Sequence, residues 1–147
     1  MKHGAILFLV MVFLLAVSCT SGDENLTEAQ QIEKEASRME NEAAEAEVTA
    51  AELTIAFAGD EAKADERYKN RVILVKGIVD NVGVDVEEKP YVMLGGDAGR
   101  VQVMFARKYH KQALNLLPGQ NLEIKGRCGG QFANVILHTA VIPPTAP

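Results

Sequence analysis

The sequence predicts a mainly β domain, a five-stranded barrel with a short helix between strands three and four, preceded by an N-terminal helical arm. Two observations support this class. From Tyr68 onward, apolar and polar residues alternate in short runs separated by Gly, Pro and Asn, as in half-buried strands joined by turns. Before Tyr68, apolar residues recur every three or four positions in an Ala- and Glu-rich stretch, as in a helix. The 147 residues are enough for one such domain.

The N-terminus has the features of an export signal. Lys2 and His3 precede an uncharged apolar run from Ala5 to Val17. A membrane-spanning helix needs about 20 apolar residues, so this run has instead the length of a signal-peptide core. It ends in small residues directly before Cys19. We therefore expect residues 1–18 to be a cleaved signal peptide.

The segment Ala16-Val17-Ser18-Cys19 resembles the lipobox of bacterial lipoproteins, although Ala16 stands where Leu is usual. The resemblance implies that Cys19 is acylated and becomes the N-terminus, which would anchor the protein in a membrane. Thr20 follows, and not the Asp that tends to retain lipoproteins at the inner membrane. This implies the outer membrane, with the domain facing the periplasm. An ordinary secretory signal that leaves Cys19 as a plain thiol is the alternative.

Charge divides the remaining chain into two parts. Residues 20–66 hold 14 acidic and 3 basic side chains, whereas residues 67–147 hold 6 acidic and 11 basic. We interpret residues 19–66 as an acidic tether and helix, and the later part as the barrel domain. Heptad spacing from Ala29 to Phe57 predicts one continuous, narrow apolar stripe on that helix. The stripe could dock on a basic partner, including the barrel itself, but we favour a solvated spacer.

Five strands and one helix are predicted from residue 67 onward. They span Arg71–Val82, Tyr91–Leu94, Arg100–Ala106, the helix Arg107–Leu117, Asn121–Cys128 and Val135–Ile142. Gly77 predicts a bulge or bend in the first strand, and the turns Gly95–Gly99 and Gly129-Gly130 follow the second and fourth strands. A kinked first strand and a helix between strands three and four are features of the OB barrel.

Short motifs also carry a family resemblance. They are Ala64–Asn70 (ADERYKN), Val75–Val79 (VKGIV), Pro90–Val92 (PYV), Pro118–Gln120 (PGQ) and Lys125–Gly130 (KGRCGG). With the lead-in segment Ala50–Gly59, these motifs resemble the tRNA-anticodon-like OB-fold family of bacterial envelope proteins over about residues 50–142. The resemblance implies the OB fold. It implies nucleic-acid binding only by analogy, because a fold does not determine a function.

The candidate binding surface follows from the barrel, because OB barrels usually bind across strands two and three and the adjoining loops. The predicted partner-binding residues are Tyr91, Met93, Arg100, Gln102, Met104, Lys89, Arg127 and Phe132. Tyr91 and Phe132 could stack on bases, and the cations could meet phosphate, but two aromatic rings make a small platform. We therefore favour a protein or oligosaccharide partner of unknown identity and keep single-stranded nucleic acid as the alternative.

The sequence shows no catalytic or cofactor-binding constellation, so we expect a non-enzymatic protein without cofactor. Two Cys cannot form a four-Cys zinc site, and His110 and His138 lack metal-ligand spacing. A thiol nucleophile built on Cys128 and a His is the weakest option, and we favour a buried Cys128, as is common for free Cys.

The predicted helix after strand three carries a basic run made of Arg107, Lys108 and Lys111. Such a run is usually a solvated helix face. It is nevertheless the best candidate surface for docking the acidic arm, an anionic lipid or a glycan.

Overall fold

The computed structural model describes residues 26–144. In chain order the elements are α1 Glu28–Asn41, β1 Ala46–Thr49, α2 Ala50–Gly59, α3 Glu61–Tyr68, β2 Val72–Val84, β3 Pro90–Gly96, β4 Gly99–Phe105, a 3₁₀ turn Arg107–Tyr109, α4 His110–Leu114, β5 Asn121–Gln131 and β6 Val135–Val141. The predicted signal peptide and Cys19 lie outside the described residues. Within the described part, no helix is long and apolar enough to cross a membrane.

Strands β2 to β6 close into a five-stranded barrel. β2 pairs antiparallel with β3 and β5, and β3 with β4. β5 pairs antiparallel with β6, and the parallel pairing of β4 with β6 completes the ring. The 3₁₀ turn and α4 lie between the third and fourth barrel strands. This arrangement confirms the predicted OB barrel, its short helix and the N-terminal helical arm.

The barrel interior is filled by the inward-facing residues of each strand. Along β3 and β4, Val92, Leu94, Val101 and Val103 are fully buried, and each alternates with a residue that points outward. This alternation follows from the two-residue side-chain period of a strand. The aliphatic core therefore fixes which residues of β3 and β4 can reach a partner.

Helices α2 and α4 close opposite ends of the barrel. α2 packs against the turn between β3 and β4, whereas α4 begins just after β4 ends. Both contribute to the main core, α2 through Leu53 and Phe57 and α4 through Ala113, which is joined by Leu116 just after the helix. Leu53 and Phe57 thus belong to the barrel core although they precede residue 67, where the barrel domain is predicted to begin.

The predicted bulge at Gly77 is wrong in position. Gly77 pairs regularly with Leu122 of β5, and the irregularity lies between Val79 and Asn81. Gly77 lies where α2 begins, and a Cβ added there would stand 3.0 Å from the Cβ of Ala50. The close approach of α2 therefore accounts for this glycine.

The predicted turn at Gly129-Gly130 is also wrong. Both residues continue β5, which bulges between Cys128 and Gly130 before the chain reverses at residues 132–134. Gly130 has a φ of 87°, a conformation that glycine adopts without steric cost. The glycines thus serve the bulge.

The predicted continuous heptad stripe is wrong as well. α1 ends at Asn41, and Ala46–Thr49 form β1, which pairs in parallel with β2. Thr49 and Glu52 then form a capping box, in which each side chain accepts a hydrogen bond from the other residue's backbone N–H. This local signal starts a second helix, α2, at the point where the heptad pattern alone continues the first.

Candidate functional site

Five of the eight predicted partner-binding residues lie together on the outward side of β3 and β4. Tyr91 pairs with Met104, Met93 with Gln102, and Gly95 with Arg100. Arg100 is exposed and the side chains of the other four are half-buried. We call Tyr91, Met93, Arg100, Gln102 and Met104 the outer face. Strand alternation, anchored by the buried neighbours, places them there.

The outer face is mostly apolar and uncharged. A Cβ on Gly83 of β2 would stand 2.5 Å from the hydroxyl of Tyr91, so the ring of Tyr91 covers this glycine. The Gln102 amide donates a 3.5 Å hydrogen bond to Sδ of Met104. On the neighbouring strand β6, the half-buried Ile136 pairs with Gln102 and extends the surface.

The one cation of the outer face has a carboxylate partner. Arg100 Nε lies 2.7 Å from Oδ2 of Asp80 on β2, and both side chains are about half exposed. Asp80 is not among the site residues predicted from the sequence. Alternation along β2 is the signal that could have found it, but the irregularity between Val79 and Asn81 shifts that alternation by one residue.

The loop between β2 and β3 holds the predicted Lys89. Its ammonium forms an ion pair with Glu87, and this hydrogen bond raises the pKa of Lys89. Asp85 orders the loop, because its carboxylate accepts hydrogen bonds from the backbone N–H groups of Glu87 and Lys89, each 2.9 Å long. Lys89 therefore already has a carboxylate partner, Glu87, before any ligand or protein binds.

Phe132 lies in the loop between β5 and β6 and is 92% exposed. The first residue of β6, Val135, pairs with Val101 of β4. The loop therefore lies beside the Arg100 end of the outer face. Tyr91 pairs with Met104, toward the other end of β4, so Tyr91 and Phe132 do not lie side by side.

Arg127 is the one predicted site residue that the structure places away from the outer face. Its guanidinium forms an ion pair with Glu35 of α1, and its Nη1 donates a 2.6 Å hydrogen bond to the carbonyl of Asn70. Both contacts lie where α1 packs on the barrel. Arg127 therefore joins the arm to the barrel.

The arm docks on the barrel through a small apolar cluster. Ala36 and Met39 of α1 are buried, and they pack with Val72, Ala106 and Val141. Over residues 28–41 the favoured spacer interpretation is therefore wrong, and the alternative, docking on the chain's own basic domain, is correct. The sequence signal was the opposite charge of the two parts.

Polar contacts surround this cluster. Glu40 accepts hydrogen bonds from Lys108 and from the hydroxyl of Tyr109, and these bonds lower the pKa of Glu40. Burial and the neighbouring Glu40 carboxylate raise the pKa of Tyr109. Lys125 donates hydrogen bonds to the carbonyls of Glu40 and Glu42. Of the basic run on the predicted helix, the arm thus engages Lys108.

The structure does not assemble a thiol nucleophile. Cys128 is buried, and this burial raises the pKa of its thiol. Nε2 of His110 is hydrogen-bonded to the carbonyl oxygen of Phe105 at 3.2 Å, and the ring of His138 packs over Gly129. Between residues 26 and 144, no group of three or more His, Cys, Asp or Glu residues is arranged to hold a metal ion.

A family model, tRNA_anti-like, matches residues 1–141. This chain belongs to the tRNA_anti-like family. The match confirms the resemblance that the short motifs indicated, and the closed barrel agrees with it. The tRNA_anti-like domain is an OB-fold domain of the binding type, and it is not a known enzyme family. No curated protein matches the chain significantly.

One solved structure supports the fold of this tRNA_anti-like chain, and two others are more weakly similar to it. A lipoprotein from Klebsiella pneumoniae, provisionally described as nucleic acid-binding, matches with a TM-score of 0.54 and 16% identity, over 66% of this chain and 91% of its own. The Stn1-Ten1 complex of S. pombe gives a TM-score of 0.41 and 18% identity, over 46% of this chain and 53% of the matched chain. A protein from Leishmania major, provisionally described as an aspartyl-tRNA synthetase, gives a TM-score of 0.46 and 9% identity, over 67% of this chain and 21% of its own.

Proposed function

We propose that this protein is a lipid-anchored module of the bacterial envelope that binds a protein or oligosaccharide partner through its outer face and catalyses no reaction. The anchor is supported by the lipobox-like segment that ends in Cys19, and by the structural similarity to a lipoprotein from Klebsiella pneumoniae. The Thr that follows Cys19 supports attachment to the outer membrane, with the barrel in the periplasm.

One observation carries the proposed binding function. Tyr91, Met93, Gln102 and Met104 form two adjacent rows of half-buried, uncharged side chains, and the adjoining Arg100 is matched by Asp80. Aromatic residues, Met and Arg are enriched in protein interfaces. A Tyr ring can also pack against a sugar ring. The outer face therefore suits an uncharged or weakly polar partner surface.

Single-stranded nucleic acid is the second candidate, because Phe132 is 92% exposed beside the outer face and could stack on a base. Phosphate binding also requires available cations, since these contacts dominate affinity for nucleic acids. Lys89, Arg100 and Arg127 each have a carboxylate partner within the chain. This pairing favours the protein or oligosaccharide partner.

Site-specific photo-crosslinking in intact envelopes tests the proposed face. A photoreactive residue at position 102 of the lipidated protein should form an adduct, whereas the same residue at Lys63, which is 83% exposed on α3, should not. Met93→Lys distinguishes the two partner classes. A cation on this apolar face should reduce adducts with a protein or glycan, but it should increase adducts with nucleic acid. Equal labelling at both positions would contradict the assignment.

The anchor is tested separately by fractionation. Cys19→Ala in a chain whose residues 1–18 are replaced by a cleavable signal of a secreted, non-lipidated protein should move the protein from the membrane fraction to the periplasmic fraction, because it removes the acylated side chain. Blocking lipoprotein signal processing with an inhibitor of the globomycin type should instead leave residues 1–18 attached to the natural chain and raise its mass. Membrane association of the Cys19→Ala chain, or an unchanged mass in the presence of the inhibitor, would contradict the lipid anchor and leave the binding face untouched.

A further inference from the structure

We propose that the outward side of α4 and the turn before it docks on an anionic lipid surface. This inference rests on the proposed lipid anchor, and it concerns a surface separate from the outer face. The docking surface consists of Arg107, Lys111, Leu114 and Leu117. Lys111 and Leu114 are three residues apart on α4, which places them on one side of the helix. Arg107 lies in the turn before α4, and Leu117 lies three residues after the helix ends.

The two cations of this surface differ from most others in the chain. Lys63, Lys69, Lys76, Lys89, Arg100, Lys108 and Arg127 all form ion pairs. Between residues 26 and 144, by contrast, no ion pair or side-chain hydrogen bond engages Arg107 or Lys111. Arg38 and Arg67 have no such partner either, but Arg38 borders a pocket with Glu35 and Glu42, and the guanidinium of Arg67 lies over the ring of Tyr68. The docking surface therefore offers two cations without a matching carboxylate.

Exposed leucines adjoin these cations. The exposed fraction is 54% for Leu114 and 67% for Leu117, whereas Ala113 and Leu116 point into the barrel core. A cationic helix with an apolar border is the pattern of segments that lie at a membrane surface, where Lys and Arg meet anionic headgroups and Leu enters the acyl boundary. A soluble polyanion would use the cations but gain little from the leucines. This combination favours a bilayer.

The contacts of α1 also support this assignment, because they do not involve the two cations of the docking surface. The acidic helix α1 engages Lys108 through Glu40, and its apolar side is buried against Val72, Ala106 and Val141. Its described contacts leave Arg107 and Lys111 unpaired. A lipid on the same chain would hold the docking surface near the bilayer at high effective concentration, so weak contacts would suffice.

Fluorescence of the lipidated full chain tests the proposal. An environment-sensitive dye is attached at Leu117→Cys, and in a control protein at Ile55→Cys, which is 51% exposed on α2. Both proteins are reconstituted through the lipid into vesicles of phosphatidylcholine, with or without phosphatidylglycerol. We expect a blue shift at position 117 only, and only with phosphatidylglycerol. Arg107→Gln and Lys111→Gln should each lower the ratio of docked to undocked protein about fivefold, since a cation near an anionic surface contributes about 1 kcal/mol.

The controls separate the possible failures. Arg107→Lys keeps the charge and should keep the blue shift. A dye that stays in water on both kinds of vesicle, or an equal shift with neutral lipid, would overturn the proposal. Protection of position 117 in intact envelopes but not on vesicles would assign this surface to another envelope component and also overturn it. If the chain fails to associate with vesicles at all, the lipid anchor itself is wrong.

Discussion

Lys125 Nζ donates a 2.6 Å hydrogen bond to the carbonyl oxygen of Glu42, the residue that follows the last turn of α1. The same ammonium reaches the carbonyl of Glu40 at 3.3 Å, and the side chain is only 8% exposed. The last carbonyls of a helix have no partner within it, and a cation there also interacts favourably with the helix dipole. A lysine of the barrel therefore completes the end of the arm.

Lys125→Met should lower the free energy of unfolding by about 1.5–3 kcal/mol, the range for a hydrogen bond to a charged group. Met keeps the apolar stem but leaves the carbonyls of Glu40 and Glu42 unpaired. Urea unfolding measures the loss. Lys76→Met is the matched control, because Lys76 pairs with Glu47 and Glu123 at the surface and such pairs contribute about 1 kcal/mol or less. Equal losses would show that Lys125 is not a special contact.

Docking of the arm should weaken in acid because of Glu40. Hydrogen bonds from Lys108 and Tyr109 hold the pKa of Glu40 below its usual 4.5. A carboxylate whose pKa is lowered by folding stabilises the fold above its unfolded pKa, and this stability is lost as the pH falls through the folded pKa. Below pH 4.5, the unfolding free energy of Glu40→Gln should thus fall less steeply with decreasing pH than that of the wild type. Glu66→Gln on α3 should follow the wild type.

Gly96→Ala should destabilise the end of the barrel that α2 closes. An added Cβ would stand 2.8 Å from Cγ2 of Thr54 and 2.9 Å from the carbonyl oxygen of Ala50, and the backbone atom cannot move aside easily. Overpacking of this kind costs about 1–3 kcal/mol, which thermal or urea unfolding can detect. Gly59→Ala at the end of α2 meets nothing within 4 Å and should stay within about 0.5 kcal/mol of the wild type.

Asn70 should tolerate Gly but not Ala. Its φ is 64°, in the left-handed region that costs an ordinary residue about 1–2 kcal/mol and that Asn and Gly adopt more readily. Its N–H donates to the carbonyl of Cys128, and its own carbonyl accepts from Arg127, so the backbone cannot relax without losing both bonds. We expect a clear drop in the unfolding midpoint for Asn70→Ala only. Similar midpoints for the two variants would refute this explanation.

Cys128 should react with thiol reagents only after the protein opens. The side chain is fully buried, and burial raises its pKa, so little thiolate exists near neutral pH and little of it is accessible. Labelling in urea should be fast and native labelling slow. Rapid labelling of the native protein would contradict the burial of Cys128 and would favour the alternative of a thiol nucleophile.

Residue alternation was sufficient to predict the outer face. Tyr91, Met93, Gln102 and Met104 could be identified because buried Val and Leu separate them along two regular strands. Arg127 shows the limit of the same argument. Alternation predicts that it points outward, but the strands of a closed barrel present an outer surface all round, and the sequence does not tell which part α1 covers.

The break in the arm could not be predicted from helical periodicity, because its cause is not local. Ala and Glu favour helix throughout the stretch, yet residues 46–49 pair with β2, and Val48 joins the main core of the barrel. The energy of that distant pairing outweighs the local preference for helix. Thr49 and Glu52 were the available clue, since a capping box marks a helix start.

The position of α2 sets a practical limit on dissecting this protein. Leu53 and Phe57 fill one end of the barrel. A fragment that begins at residue 67 lacks α2 and would therefore expose to water aliphatic side chains that are buried in the full chain. Such a fragment should aggregate or be digested quickly, because newly bared apolar surface promotes self-association. Shortened versions for isolated study therefore need to start no later than β1.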